Sequence, residues 1–76
     1  MKDERQILTE FGATDIQYEP LINNYFINFI YNNKKYTIEH ILNVYGVSTD
    51  FWELCIKPTK TFNKLEELLE WLKNQQ

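Results

Sequence analysis

From Tyr25 to Ile41 the chain alternates with a period of two. Tyr25, Ile27, Phe29 and Tyr31 form one stripe, Asn32-Asn33-Lys34-Lys35 interrupts, and Tyr36, Ile38 and His40 resume it. Residues two apart share a face of a pleated strand, and an Asn-rich break between two such runs is where a tight reversal is easiest. The pattern therefore predicts a β-hairpin with strands at 25–31 and 35–41. A two-residue loop at Asn32-Asn33 would pair Phe29 with Tyr36 and Ile27 with Ile38, and one at Asn33-Lys34 would pair Tyr31 with Tyr36. Both keep the aromatic residues on one face, whereas a three-residue loop would split the apolar set between core and water. Asn tolerates the left-handed backbone that a type I′ turn demands, so either two-residue register is open.

Around this hairpin the remaining elements follow from capping and periodicity. Asp3 with Gln6 has the form of a capping box, and Ile7, Leu8 and Phe11 make an apolar stripe before Gly12, which predicts a helix from Glu4 to Phe11. Ile16 and Tyr18 alternate with polar neighbours in a short strand that Pro20 closes. Residues 42–50 fit strand or helical turn, and are read as a strand end plus a turn. A further strand is expected from Phe51 to Lys57, ended by Pro58. Leu65, Leu68, Leu69 and Leu72 fall at helical spacing behind a second capping-box pair, Asn63 and Glu66.

The expected fold class is α+β: one domain over residues 1–76, ordered α-β-β-β-β-α. It is a two-layer sandwich in which a small, mostly antiparallel sheet of three to four strands carries the N-terminal and C-terminal helices on one face. Its core would hold Ile7, Leu8, Phe11, Ile16, Tyr18, Ile27, Phe29, Ile38, Trp52, Leu54, Ile56, Leu65, Leu68, Leu69 and Leu72. A 76-residue chain with one cysteine has no disulfides to support a small core, and its 16% aromatic content is the compensating feature. Dimerisation is the other common remedy.

Composition narrows the classes of function. The net charge is −3 and the pI about 5.0, so double-stranded nucleic acid is not an expected partner. No run approaches the roughly 18 apolar residues of a membrane span, and the charged N-terminus lacks the apolar segment of a secretory signal, so a cytoplasmic location is expected. Richness in Asn, Ile, Lys, Glu and Tyr is the mark of AT-rich coding, as in low-GC bacteria and their mobile elements. The element order is similar to that of double-stranded RNA-binding domains, but the basic helix start of that family is missing, with Asn63, Lys64, Leu65, Glu66 and Glu67 in its place.

No cofactor, metal or catalytic motif is present. His40 has no second His or Cys at ligand spacing and reads as a rim residue of the core. Cys55 and His40 could form a nucleophile–base pair only if adjacent strands brought them together, and no Gly-rich turn accompanies them. The chain is therefore expected to be non-enzymatic. If both helices cover the Tyr25 stripe, the other sheet face exposes Phe26, Ile30, Ile41 and Phe51, a surface for another protein or for a second copy. The function expected first is a small binding protein, a regulator or inhibitor that works by protein contact. The alternative is a single-stranded nucleic-acid binder using Tyr31, Lys34, Lys35 and Tyr36 at the hairpin tip, where aromatic rings stand beside cations. The acidic helix residues Glu66, Glu67 and Glu70 read as solvated faces.

Overall fold

The computed structural model describes residues 3–22, 24–44 and 46–75. The elements are α1 (Glu4–Phe11), β1 (Thr14–Pro20), β2 (Asn24–Tyr31), β3 (Lys34–Val44), β4 (Val47–Leu54), β5 (Lys60–Phe62) and α2 (Leu65–Lys73). The five strands form one antiparallel sheet in sequence order, β1-β2-β3-β4-β5. Both helices lie on one face of it, making a two-layer α+β fold with one strand more than the three to four expected.

The β2–β3 hairpin adopts the first of the two registers open from sequence. Phe29 stands opposite Tyr36 and Ile27 opposite Ile38. Asn32 and Asn33 both take positive φ, 53° and 65°, as a type I′ turn requires and as Asn accommodates. This register sends Ile27, Phe29, Ile38 and His40 toward the helices, and Ile38 and His40 hand the same phase to Leu54 and Trp52 on β4. The buried core is Leu8, Ile27, Phe29, Ile38 and Leu54 with Leu65, Leu68, Leu69 and Leu72 of α2, joined by Trp52 and Ala13.

Helix α1 starts as its sequence dictates. The Asp3 carboxylate accepts a hydrogen bond from the Gln6 N–H at 2.8 Å, and Gly12 at φ 111° closes the helix with its N–H on the carbonyls of Leu8 and Thr9. Helix α2 departs from expectation. Its N-cap is Lys64, in extended backbone and without a side-chain cap, so Asn63 does not perform that role. Glu66 and Glu67 in the first turn still complement the positive end of the helix.

Three further differences concern the sheet. The strand expected at 51–57 is shifted: β4 runs from Val47 to Leu54, the chain then turns through a cis Lys57–Pro58 peptide, and Lys60–Phe62 add β5. Phe62 stands opposite Trp52, so β5 extends the core-facing stripe by one ring. Residues 42–50 resolve into the end of β3 and the start of β4, with Tyr45 outside the described residues. Strand β1 carries a bulge, since Thr14 faces Ile30 but Gln17 faces Asn28, and Asp15 takes φ 52° there. Being the edge, β1 leaves Tyr18 37% exposed rather than in the core.

Candidate functional site

The sheet register lays out the face turned away from the helices row by row. One row holds Glu19, Phe26, Glu39, Glu53 and Thr61, and the next toward the end of the sheet holds Asn24, Ile41 and Phe51. No helix or strand packs on this face among the described residues. Ile41 and Phe51 are direct cross-strand partners and Phe26 is diagonal to Ile41, so Ile41 links the three into one apolar group, each half-buried. Ile30 stands apart, separated from Phe26 by Asn28 along β2 and opposite Lys35 on β3. Its nearer surroundings are polar, with Thr37 Oγ1 donating to Asn28 Oδ1 at 2.6 Å and Asn28 Nδ2 donating to Glu19 at 3.1 Å.

Beside the apolar group lies a pair of like charges. Glu39 and Glu53 are direct partners across β3 and β4, and Asn24 Nδ2 donates to Glu39. Burial, followed by the hydrogen bond and the repulsion from Glu39, pushes the Glu53 carboxyl above the usual carboxylate range. The native state therefore binds this proton more tightly than the unfolded chain. Stability is greatest below the unfolded-chain glutamate value and declines as pH rises through the elevated folded value. Glu53→Gln is expected to raise the urea midpoint at neutral pH and to flatten its decline from acid to neutral. An unchanged midpoint would show that solvent screens the pair.

Sequence reasoning did not find the most exposed apolar side chains among the described residues. They are Ile22, 97% exposed, with Val47, Leu21 and Leu42, all at the end of the sheet where Asn24 meets Ile41. Leu21, Ile22 and Leu42 border a groove of about 400 Å³ with Tyr18, Pro20 and Tyr25. The available signal was the Leu21-Ile22 dipeptide placed directly after a strand-ending proline.

On the helix side, His40 is 8% exposed and is the centre of a polar cluster rather than a rim residue. Its ring stacks flat on Trp52, with centroids 3.9 Å apart and planes 4° from parallel. Its Nδ1 lies 2.7 Å from the Tyr25 hydroxyl, its Nε2 meets Asp50 Oδ1, and Tyr25 Oη donates to Glu4 Oε1 at 2.5 Å. Burial, then the hydrogen bond and charge of Glu4, push the Tyr25 phenol well upward, away from an ionised nucleophile. Cys55 is exposed and lies on the opposite side of the sheet phase from His40, with its thiol pushed up by burial and by Glu39 and Glu53. Geometry therefore separates the nucleophile–base pair considered from sequence.

At the hairpin tip, Lys34 and Lys35 are exposed, but both tyrosines are engaged within the fold. Tyr31 stacks on Phe11 of α1 at 4.3 Å, and Tyr36 stacks on Phe29 at 5.8 Å. Among the described residues, no group of three or more His, Cys, Asp and Glu side chains is arranged to hold a metal ion, and no helix is long and apolar enough to cross a membrane. The chain matches no protein-family model, and no curated protein or solved structure shows significant similarity to it.

Proposed function

We propose that this protein acts by contact rather than by catalysis, docking another protein on the open face of its sheet and thereby regulating or inhibiting it. The observation that carries this reading is the Phe26–Ile41–Phe51 group, half-buried on a face that, among the described residues, no helix or strand covers. Large aromatic and aliphatic side chains clustered in this way are the usual anchors of protein interfaces. The adjoining Leu21 and Ile22 enlarge the apolar surface at the same end. Glu39 and Glu53 give it a polarity: the partner surface that fits presents a Lys or Arg among apolar residues, because a cation between the two carboxylates relieves their repulsion. An AT-rich coding style is in keeping with a low-GC bacterium or one of its mobile elements as the source.

Affinity capture from a bacterial lysate tests the reading, with Phe26→Glu plus Ile41→Glu compared against the unaltered protein and against Ile30→Glu. The double substitution is expected to retain a cooperative unfolding transition and to lose at least a tenfold share of the captured partner, roughly 1.4 kcal/mol per tenfold. Equal capture by all three proteins would remove the open face from consideration. Light scattering over a concentration series separates the other occupant: a stable dimer that Phe26→Glu splits would assign the face to self-association.

A further inference from the structure

The two helices run side by side in the same direction and leave a furrow between them. Asp3 and Glu4 at the start of α1 border the same groove of about 500 Å³ as Lys64, Leu65 and Glu66 at the start of α2. Toward the other end, Glu10 and Phe11 border a second stretch of about 360 Å³ together with Leu69, Glu70 and Lys73. Ile7 and Glu66 line both stretches, so the furrow is continuous along the helix pair. Its floor is apolar. Ile7 and Phe11 stand four residues apart on α1, Leu65 and Leu69 four apart on α2, and all four belong to the core or pack against it. Two such rows flank a trough of the shape that receives the side-chain ridge of a third helix. Among the described residues the helices touch each other and the strands beneath them, and no further element lies over the furrow.

We propose that this furrow docks an amphipathic helix of another protein, one whose apolar ridge is flanked by Lys and Arg. Charge selects the occupant. Residues 3–11 and 64–73 carry six Asp and Glu against three Lys and Arg, so the helix layer accounts for the whole net charge of −3. Glu10, Glu66 and Glu70 stand exposed along the rims, whereas Arg5 is turned away to the β1 edge, where it donates to the Ile16 carbonyl and lies over the Tyr18 ring. Lys64 and Lys73 border opposite ends of the furrow, which leaves the carboxylates between them. An apolar trough with an acidic rim matches a cationic amphipathic helix in both shape and charge. A second copy offering its own helices would set like charges against like, and nucleic acid or an anionic membrane meets the same repulsion.

This site is separate from the open sheet face, since the helices and the Phe26–Ile41–Phe51 group lie on opposite sides of the sheet. The bound helix would lie as a third member of the helical layer. Its apolar side chains, one turn apart, supply most of the affinity by covering Ile7, Phe11 and Leu69, while its cations reach the exposed glutamates and fix its placement. Binding should therefore weaken as salt screens the rim charges but persist through the apolar contact.

A synthetic helix-forming peptide of Leu and Lys at helical spacing tests the proposal, compared with the same composition in scrambled order and with a Leu and Glu peptide of the same pattern. Titration calorimetry is expected to show saturable binding of the patterned Leu and Lys peptide alone, weaker in high salt but not lost. Amide proton–nitrogen spectra of the labelled protein should place the shifts at Ile7, Phe11, Leu69 and Glu70. Glu10→Lys plus Glu70→Lys alters two exposed positions and should weaken binding by roughly tenfold or more while the cooperative unfolding transition is kept. Phe26→Glu plus Ile41→Glu should bind the peptide as the native protein does, so the fate of the open face is read independently. Equal binding of the scrambled peptide would reduce the contact to charge alone and overturn the proposal. Shifts confined to the open sheet face, or no saturable binding at all, would overturn it as well.

Discussion

Phe29→Ala is expected to lower the unfolding free energy by about 3–5 kcal/mol, the usual cost of emptying a buried aromatic site. Phe29 is 2% exposed, sits at the middle of the central hairpin, and stacks on Tyr36 across the strand pair. Domains of this kind hold roughly 0.05–0.15 kcal/mol per residue, which for 76 residues is about 4–11 kcal/mol in all. The substitution thus removes between about a quarter and all of the margin. The conservative Phe29→Leu retains most of the volume and should cost under about 1.5 kcal/mol. Urea denaturation followed by far-ultraviolet circular dichroism measures both, and a loss below about 1 kcal/mol for the alanine variant would show that the core collapses around the gap.

Much of this fold was legible because the strongest sequence patterns were also the ones the core enforces. The alternation in β2 and β3 has to place Ile27, Phe29 and Ile38 against the helices, and slipping by one residue would send all of them to water. Asp3 and Gly12 bounded α1 through local chemistry that needs no tertiary partner. The errors fell where local signals are weak. Lys60–Phe62 is three residues long with only Phe62 apolar, too short for alternation to register, and its place in the sheet is fixed by pairing with Trp52 and Leu54. At α2, Asn63 had the right residue type at a position one step outside the cap, because the β5 pairing and the burial of Leu65 decide where the helix begins. Tyr18 had the right phase but lies on an edge strand, where phase alone does not bury a side chain.

The candidate surfaces divide in the same way. Phe26, Ile41 and Phe51 were readable as one open face from parity alone, whereas their separation from Ile30 needed the register of β2 against β3 and β4. The His40 cluster was hidden because its members, Glu4, Tyr25, His40 and Asp50, are scattered along the chain. No spacing rule links a first-turn helix residue to three successive strands. Only the single stripe assignment of His40 pointed to the helix side, and the stripe carried no information about its partners.

Trp52→Ala tests two regions at once, because Trp52 belongs both to the core and to the seat of His40. The residue is 5% exposed, faces Phe62 on β5, meets Tyr25 edge-on at 6.5 Å and lies flat under the His40 ring. Truncation is expected to cost about 3–5 kcal/mol through the emptied volume. It also strips the imidazole of its aromatic floor, a stacked contact worth about 0.5–1.5 kcal/mol. Trp52→Phe restores an aromatic face with less volume, so it should recover most of the loss. The remaining Trp71, half-buried against the core, still reports unfolding by fluorescence in both variants. Urea midpoints of the native protein and the two variants separate the terms, since recovery of most of the loss by Trp52→Phe assigns Trp52 an aromatic contact with His40 as well as a filled volume. A Trp52→Phe variant no more stable than Trp52→Ala would show that the site requires the indole's volume rather than an aromatic face beside His40.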